Sequence, residues 1–167
     1  DNVMKAHSLR PHTMEGHLAL YKSVLHSEAN TLPVWFLELV ACMTSVTNSC
    51  AYSLAHHGVN AVALMVKDGV TGEQGAEKVL ESLKAGRPED HFDGKELALL
   101  QYARKLTAEV GRMTEADIDK ARAAGANDGE ILEVNQVCAY FNYSNRLLNG
   151  LGVTTDGDVI GYYDKDR

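Results

Sequence analysis

The sequence predicts an all-α domain, and three observations lead there. Apolar residues recur at helical spacing along most of the chain, helix start and stop signals punctuate it repeatedly, and strand-like alternation is scarce. With 167 residues, 45% hydrophobic and 23% charged, the chain is long enough for one proper core and has no composition of disorder.

The elements follow in order. Thr13 caps a first helix carrying Leu18, Leu20, Tyr21, Val24 and Leu25, which ends before a polar loop around Asn30. Pro33 suits the first turn of a second helix, whose stripe of Trp35, Phe36, Leu39, Val40 and Met43 runs beside Glu38. Thr47-Asn48-Ser49 breaks that pattern, and Asn and Ser there are good N-caps for a third helix from about Cys50. It runs through Ala61, Leu64 and Met65 to a stop at Lys67-Asp68-Gly69, with Gly58 permitting a close helix approach.

Thr71-Gly72-Glu73-Gln74 reads as a capping box for a short helix to about Ala85, closed by Gly86-Arg87-Pro88. Asp93 with Glu96 and Thr114 with Asp117 open two more, the latter stopping at Gly125. Asn127 with Glu130 starts the longest remaining helix, with Ile131, Val134, Val137, Cys138, Phe141 and Leu148 facing the core until Gly150. The count is about seven helices, with the Glu38 and Cys50 helices as a central antiparallel pair. A tail from about 151 carries Val159, Ile160, Tyr162 and Tyr163, apolar for a free terminus, so that docking on a neighbour and a frayed end stand about evenly.

Charge and cysteine usage narrow the function. A formal charge of -7 without a Lys/Arg cluster argues against nucleic acid and anionic membranes, leaving small molecules or proteins as partners. No apolar run approaches the ~20 residues of a membrane span and no signal peptide is visible, so the expected location is cytoplasmic. Cys42, Cys50 and Cys138 are a sparse, odd set that predicts free thiols.

The chemistry concentrates between Glu38 and His57. Cys50, Ser53 and His57 stand at i, i+3 and i+7 on one helix face. Folding back about Asn48 brings Glu38 opposite His57, so a carboxylate, an imidazole, a thiol and a hydroxyl converge. A helix N-terminus favours a thiolate, which predicts a depressed pKa at Cys50 and the fastest alkylation in the chain. His57 is the side chain suited to pass a proton near neutral pH, and Glu38 holds its tautomer or takes the proton onward. Taken singly, a lone helical cysteine is more often a small buried apolar residue, and Glu38 and the His56-His57 doublet more often solvated polar positions. The joint spacing is what argues for a site. No ligand spacing suggests zinc, and no cofactor is expected. A weak echo lays Glu130 through Asn142 over Glu38 through Cys50, with Asn142, Asn145 and Asn149 where the first copy has Cys50, Ser53 and His57.

Glu38, eleven residues, Cys50-Ala51-Tyr52-Ser53 and then His57 resembles the motif E-x(11)-C-x-x-C-x-x-x-H of the alkylhydroperoxidase D-like (AhpD-like) branch of the carboxymuconolactone decarboxylase family. NVMKAHSLRP, SVTNSCAY, the His56-His57-Gly58 run and AYFNYSNRLLNGLGV extend the likeness, to the "peroxidase-related" subgroup, over nearly the whole chain. One position departs, since serine stands at the second cysteine; a native serine and a replaced cysteine read alike in the sequence. The resemblance implies a homotrimer or homohexamer and a thiol-dependent peroxidase acting on hydrogen peroxide or organic hydroperoxides, with electrons from a dithiol or thiol protein. It implies Glu38 and His57 as the relay, Cys50 as the outer cysteine, and Ser53 at the place of the peroxide-attacking thiol, so that this serine form does not sustain dithiol turnover. Two other readings stand beside it: a carboxymuconolactone decarboxylase-like enzyme using only His57 and Glu38, and a non-enzymatic redox sensor or binding protein.

Overall fold

The computed structural model describes residues 1–161, and among these it is all-helical, with eight α-helices and no strand. They are α1 (Asn2–Ala6), α2 (Pro11–Leu25), α3 (Val34–Thr47), α4 (Ala51–Lys67), α5 (Glu73–Lys84), α6 (Gly94–Ala108), α7 (Glu115–Ala123) and α8 (Asp128–Gly150). Single 3₁₀ turns lie at Pro88–Asp90 and Val110–Arg112. None of these helices is long and apolar enough to cross a membrane.

Helix α3 is the axis of the bundle. Residues 36–45 are all buried, as befits a helix apolar nearly all round. Each of its large side chains, such as Phe36, Leu37 and Leu39, contributes ~1.5–3 kcal/mol by leaving water. The hydroxyls within it stay satisfied by reaching back one turn, Thr44 to the Val40 carbonyl at 2.9 Å and Ser45 to that of Ala41 at 2.8 Å. Helix α4 returns antiparallel along α3, and α5, α6 and α8 close around the pair. Gly58 lets α4 approach α5 closely: a Cβ there would lie 3.0 Å from Leu80 Cδ2.

The expected helices form, with local differences. Helix α1 is additional; only five residues long, it shows no periodicity to read. Helix α2 starts at Pro11, which fits a first helical position, ahead of Thr13. The boxes at α7 and α8 form: the Asp117 carboxylate accepts the Thr114 N–H at 2.9 Å, and Asn127 and Glu130 exchange bonds of 3.0 and 2.9 Å. The box expected at Thr71 does not, because the chain turns helical one residue later and Gly72 becomes the N-cap.

The tail docks on its own chain. Asn2 of α1 binds the carbonyls of Thr154 and Asp156 through its side chain at 2.8 and 3.0 Å, and the Asp158 carboxylate through its backbone. Tyr162 and Tyr163, which figured in the expectation of a neighbour, lie outside the described residues.

Candidate active site

The α3–α4 turn sets the site's geometry. Helix α3 ends with the Cys50 N–H bonded to the Ser45 carbonyl at 2.8 Å and the Ser49 N–H to that of Val46 at 3.0 Å. This double closure needs a left-handed residue between, and Ser49 takes it with φ of 53°. The same closure ends α4 at Gly69 and α7 at Gly125, so Ser49 holds a conformation that glycine supplies elsewhere. Helix α8 clamps the turn with the asparagines of the sequence echo. Asn142 Oδ1 accepts from Asn48 Nδ2 at 3.1 Å, Asn149 donates to the Asn48 carbonyl at 3.0 Å, and Asn145 reaches Ser45 Oγ at 3.4 Å.

Cys50 is itself the N-cap of α4, one residue ahead of the helix. It is buried, in a small cluster with Tyr52 and Leu148 against Val3 and Val153. Burial pushes its thiol up from the ordinary range, outweighing the Ser53 and Tyr52 backbone amides that pull it down. The expected depressed pKa is therefore reversed: burial of Cys50, a residue 1% exposed, outweighs the amides at the start of α4. Cys42 and Cys138 are also free and buried, and burial raises both.

Glu38 and His57 meet as the reflection about Asn48 predicts. His57 Nδ1–H donates to Glu38 Oε2 at 2.6 Å, and the carboxylate has no exposed surface. With that proton committed, Nε2 of a neutral His57 is the bare, proton-accepting nitrogen. Asn60, one turn further along α4, approaches Glu38 Oε1 with its amide at 3.5 Å. Phe141 stands edge-on to the His57 ring at 4.6 Å between centroids, fixing its plane. Tyr21 packs against His57, and burial first, then the Glu38 charge, raises its phenol strongly.

Ser53 and His57 line one cavity of about 270 Å³ walled by α1, α2, α4 and α8. Leu18, Tyr21, Tyr140 and Leu148 make it largely apolar. Ser45 Oγ lies 2.9 Å from Ser53 Oγ and has one proton to give. If it donates to the Ala41 carbonyl, the Ser53 hydroxyl is the donor to Ser45 and turns lone pairs toward the cavity. Cys50 is not among the lining residues and sits behind the wall that Tyr52 and Leu148 form. The cavity thus brings together two of the column's three residues, with Glu38 behind His57.

Several wall residues went unassigned from sequence. His56 and Tyr52 stack at 4.7 Å, and both face Asp158 of the tail: Tyr52 O–H donates to its carboxylate at 2.7 Å, while His56 Nε2 stands 3.6 Å away. Burial and then the His57 charge lower the His56 pKa, against the pull of Asp158. Across the cavity His17 Nε2 pairs with Tyr140 Oη at 2.9 Å, and burial followed by the His7 charge lowers its pKa to about 4. The His56-His57 doublet was the one signal of this second wall; a tail aspartate a hundred residues away gave none. Among the described residues no three His, Cys, Asp or Glu side chains group to hold a metal ion.

No family model matches the chain, and no curated protein matches it by sequence. Solved structures do. An alkylhydroperoxidase AhpD core, an uncharacterized peroxidase-related protein from Ralstonia eutropha JMP134, superposes with a TM-score of 0.79 at 21% identity, over 92% of this chain and 75% of its own. An uncharacterized peroxidase-related protein from Silicibacter sp. TM1040 gives 0.74 at 25% identity, over 91% of this chain and 74% of its own. A protein of unknown function from Agrobacterium tumefaciens, a putative antioxidant defence protein AhpD, gives 0.70 at 21% identity, over 89% and 93%. The helical fold of this chain is the AhpD-like fold.

Proposed function

We propose that the chain is a peroxidase-type antioxidant protein of AhpD-like design, with a Glu38–His57 proton relay and a hydroxyl at the second thiol position of the motif. The carrying observation is the 2.6 Å contact of His57 with the buried Glu38 beside a cavity that Ser53 lines. With a thiol at position 53, His57 Nε2 takes its proton and the sulfur attacks the peroxide, giving a sulfenic acid and, with that proton returned, an alcohol or water. The Cys50 thiol then condenses with the sulfenic acid, releasing water and forming a disulfide, which an external dithiol reduces. In the serine form the first step has no sulfur, and the buried Cys50 does not replace it. The test is Ser53→Cys: a peroxide-dependent disulfide between Cys50 and the introduced thiol, found by peptide mass spectrometry, supports the reading, and its absence overturns it.

One observation favours a second reading. No cysteine lines the cavity, whereas His57 does, with Glu38 holding it. A proton transfer on a small lactone, in the manner of a carboxymuconolactone decarboxylase, needs only that pair. Lactone turnover by the unaltered chain, abolished by His57→Ala, supports it. The sensor reading is the weakest, because mixed disulfides require an accessible thiol and Cys50 is 1% exposed.

A further inference from the structure

The two ends of the described chain meet beside the cavity. Helix α1 buries no residue, so it is not held down by a core of its own, yet its Val3 and Met4 line the cavity. At five residues it is far below the length at which a helix is stable alone. Besides the Asn2 amide on the Thr154 and Asp156 carbonyls and the packing of Val3 on the Cys50 cluster, a set of its polar attachments converges on one side chain. The two oxygens of Asp158 accept the Asn2 N–H at 3.0 and 2.9 Å, and Oδ2 also accepts the Tyr52 hydroxyl at 2.7 Å. Tyr52 Oη in turn accepts the Val3 N–H at 3.1 Å. The Asp158 side chain is 2% exposed, so one buried carboxylate ties the tail, the first turn of α1 and the start of α4 together.

We infer that Asp158 is a positioning residue of the site: its carboxylate holds Tyr52 in the cavity wall and latches α1 over the cavity as a lid. The latched state closes the cavity with Val3 and Met4. Release of the Asn2 and Tyr52 bonds loosens α1, leaving it only the partly buried Val3 on the Cys50 cluster and the Asn2 amide on the tail carbonyls. The inference rests on the cavity being the site, and not on the thiol chemistry proposed for it.

The test uses Ser53→Cys as a reporter on the cavity wall, 2% exposed in the latched state and so labelled as the cavity opens, with labelling at position 53 followed by peptide mass spectrometry using iodoacetamide and a bulky N-aryl maleimide. Asp158→Ala severs the latch from the tail. Asn2→Pro severs it from the other side, removing the donor N–H at a first helical position that accepts proline, together with the Asn2 amide's bonds to the Thr154 and Asp156 carbonyls. Both are expected to raise the maleimide rate roughly tenfold or more relative to iodoacetamide, as loss of bonds to a charged group shifts an opening equilibrium. An unchanged ratio of the two rates, with the helical circular dichroism intact, overturns the lid even if the melting temperature falls. Should Asp158→Ala lose its helical signal, Asn2→Pro decides alone. Labelling needs no turnover, so a failure of peroxide reduction in Ser53→Cys removes the peroxidase reading and leaves this one standing.

Discussion

The imidazole of His57 and the carboxylate of Glu38 face each other at 2.6 Å across the α3–α4 pair, and the carboxylate has no exposed surface. A buried carboxylate is costly unless bonded, so each partner supports the other's presence in the core.

That coupling has a stability signature. Glu38→Ala, leaving His57 without its partner, is expected to cost about 1.5–3 kcal/mol. Replacing both by leucine is expected to cost less than the sum of the single changes, because no unpaired polar group remains. Urea unfolding of the two singles and the double checks this; additive losses contradict it.

Burial governs the cysteines. All three thiols are expected to resist iodoacetamide in the native protein, with the Cys50 midpoint above the ~8.5 of a free thiol. Its labelling should accelerate in urea as the small cluster opens. Rapid labelling of Cys50 in native protein at pH 7 contradicts the burial account.

Ser49 offers a stabilising substitution. At φ of 53° a side chain is strained, so Ser49→Gly is expected to gain ~0.5–1 kcal/mol net of the extra freedom glycine has when unfolded. Ser49→Val should lose more than that. Thermal melts showing the opposite order contradict the turn geometry.

His17 sets a pH window. Its folded pKa of about 4 lies below the ordinary 6.5, so the unfolded chain binds the proton first as the pH falls. The stability is whole above 6.5 and is lost progressively toward 4, by up to ~3 kcal/mol. His17→Gln should flatten that part of the stability profile, measured by urea unfolding from pH 7 to pH 4; an unaltered slope contradicts it.

How legible the site was depended on where each residue's environment comes from. Glu38 and His57 followed from spacing, because two helices joined by a short turn have a fixed antiparallel register. Cys50 was misjudged for a physical reason: its cap position is local and readable, while the Leu148 and Val153 that bury it come from a distant stretch. Asp158 was invisible for the same reason, since Asn2 and Tyr52 reach it only in the folded chain. The asparagines of α8 were legible as an echo of the motif, but their use as a clamp on the Asn48 turn needed the packing. Helix α1 gave no signal because five residues carry no periodicity.

The proposed relay of Glu38 and His57 serves a thiol at position 53. The measurement is peroxide consumption with a dithiol reductant by Ser53→Cys, alone and combined with His57→Ala or Glu38→Ala. The account predicts turnover in Ser53→Cys, none above background in the serine form, and a loss of ~10²-fold or more in either combination. Turnover in Ser53→Cys no faster than in the serine form, with the Cys50 disulfide confirmed by mass spectrometry, contradicts it.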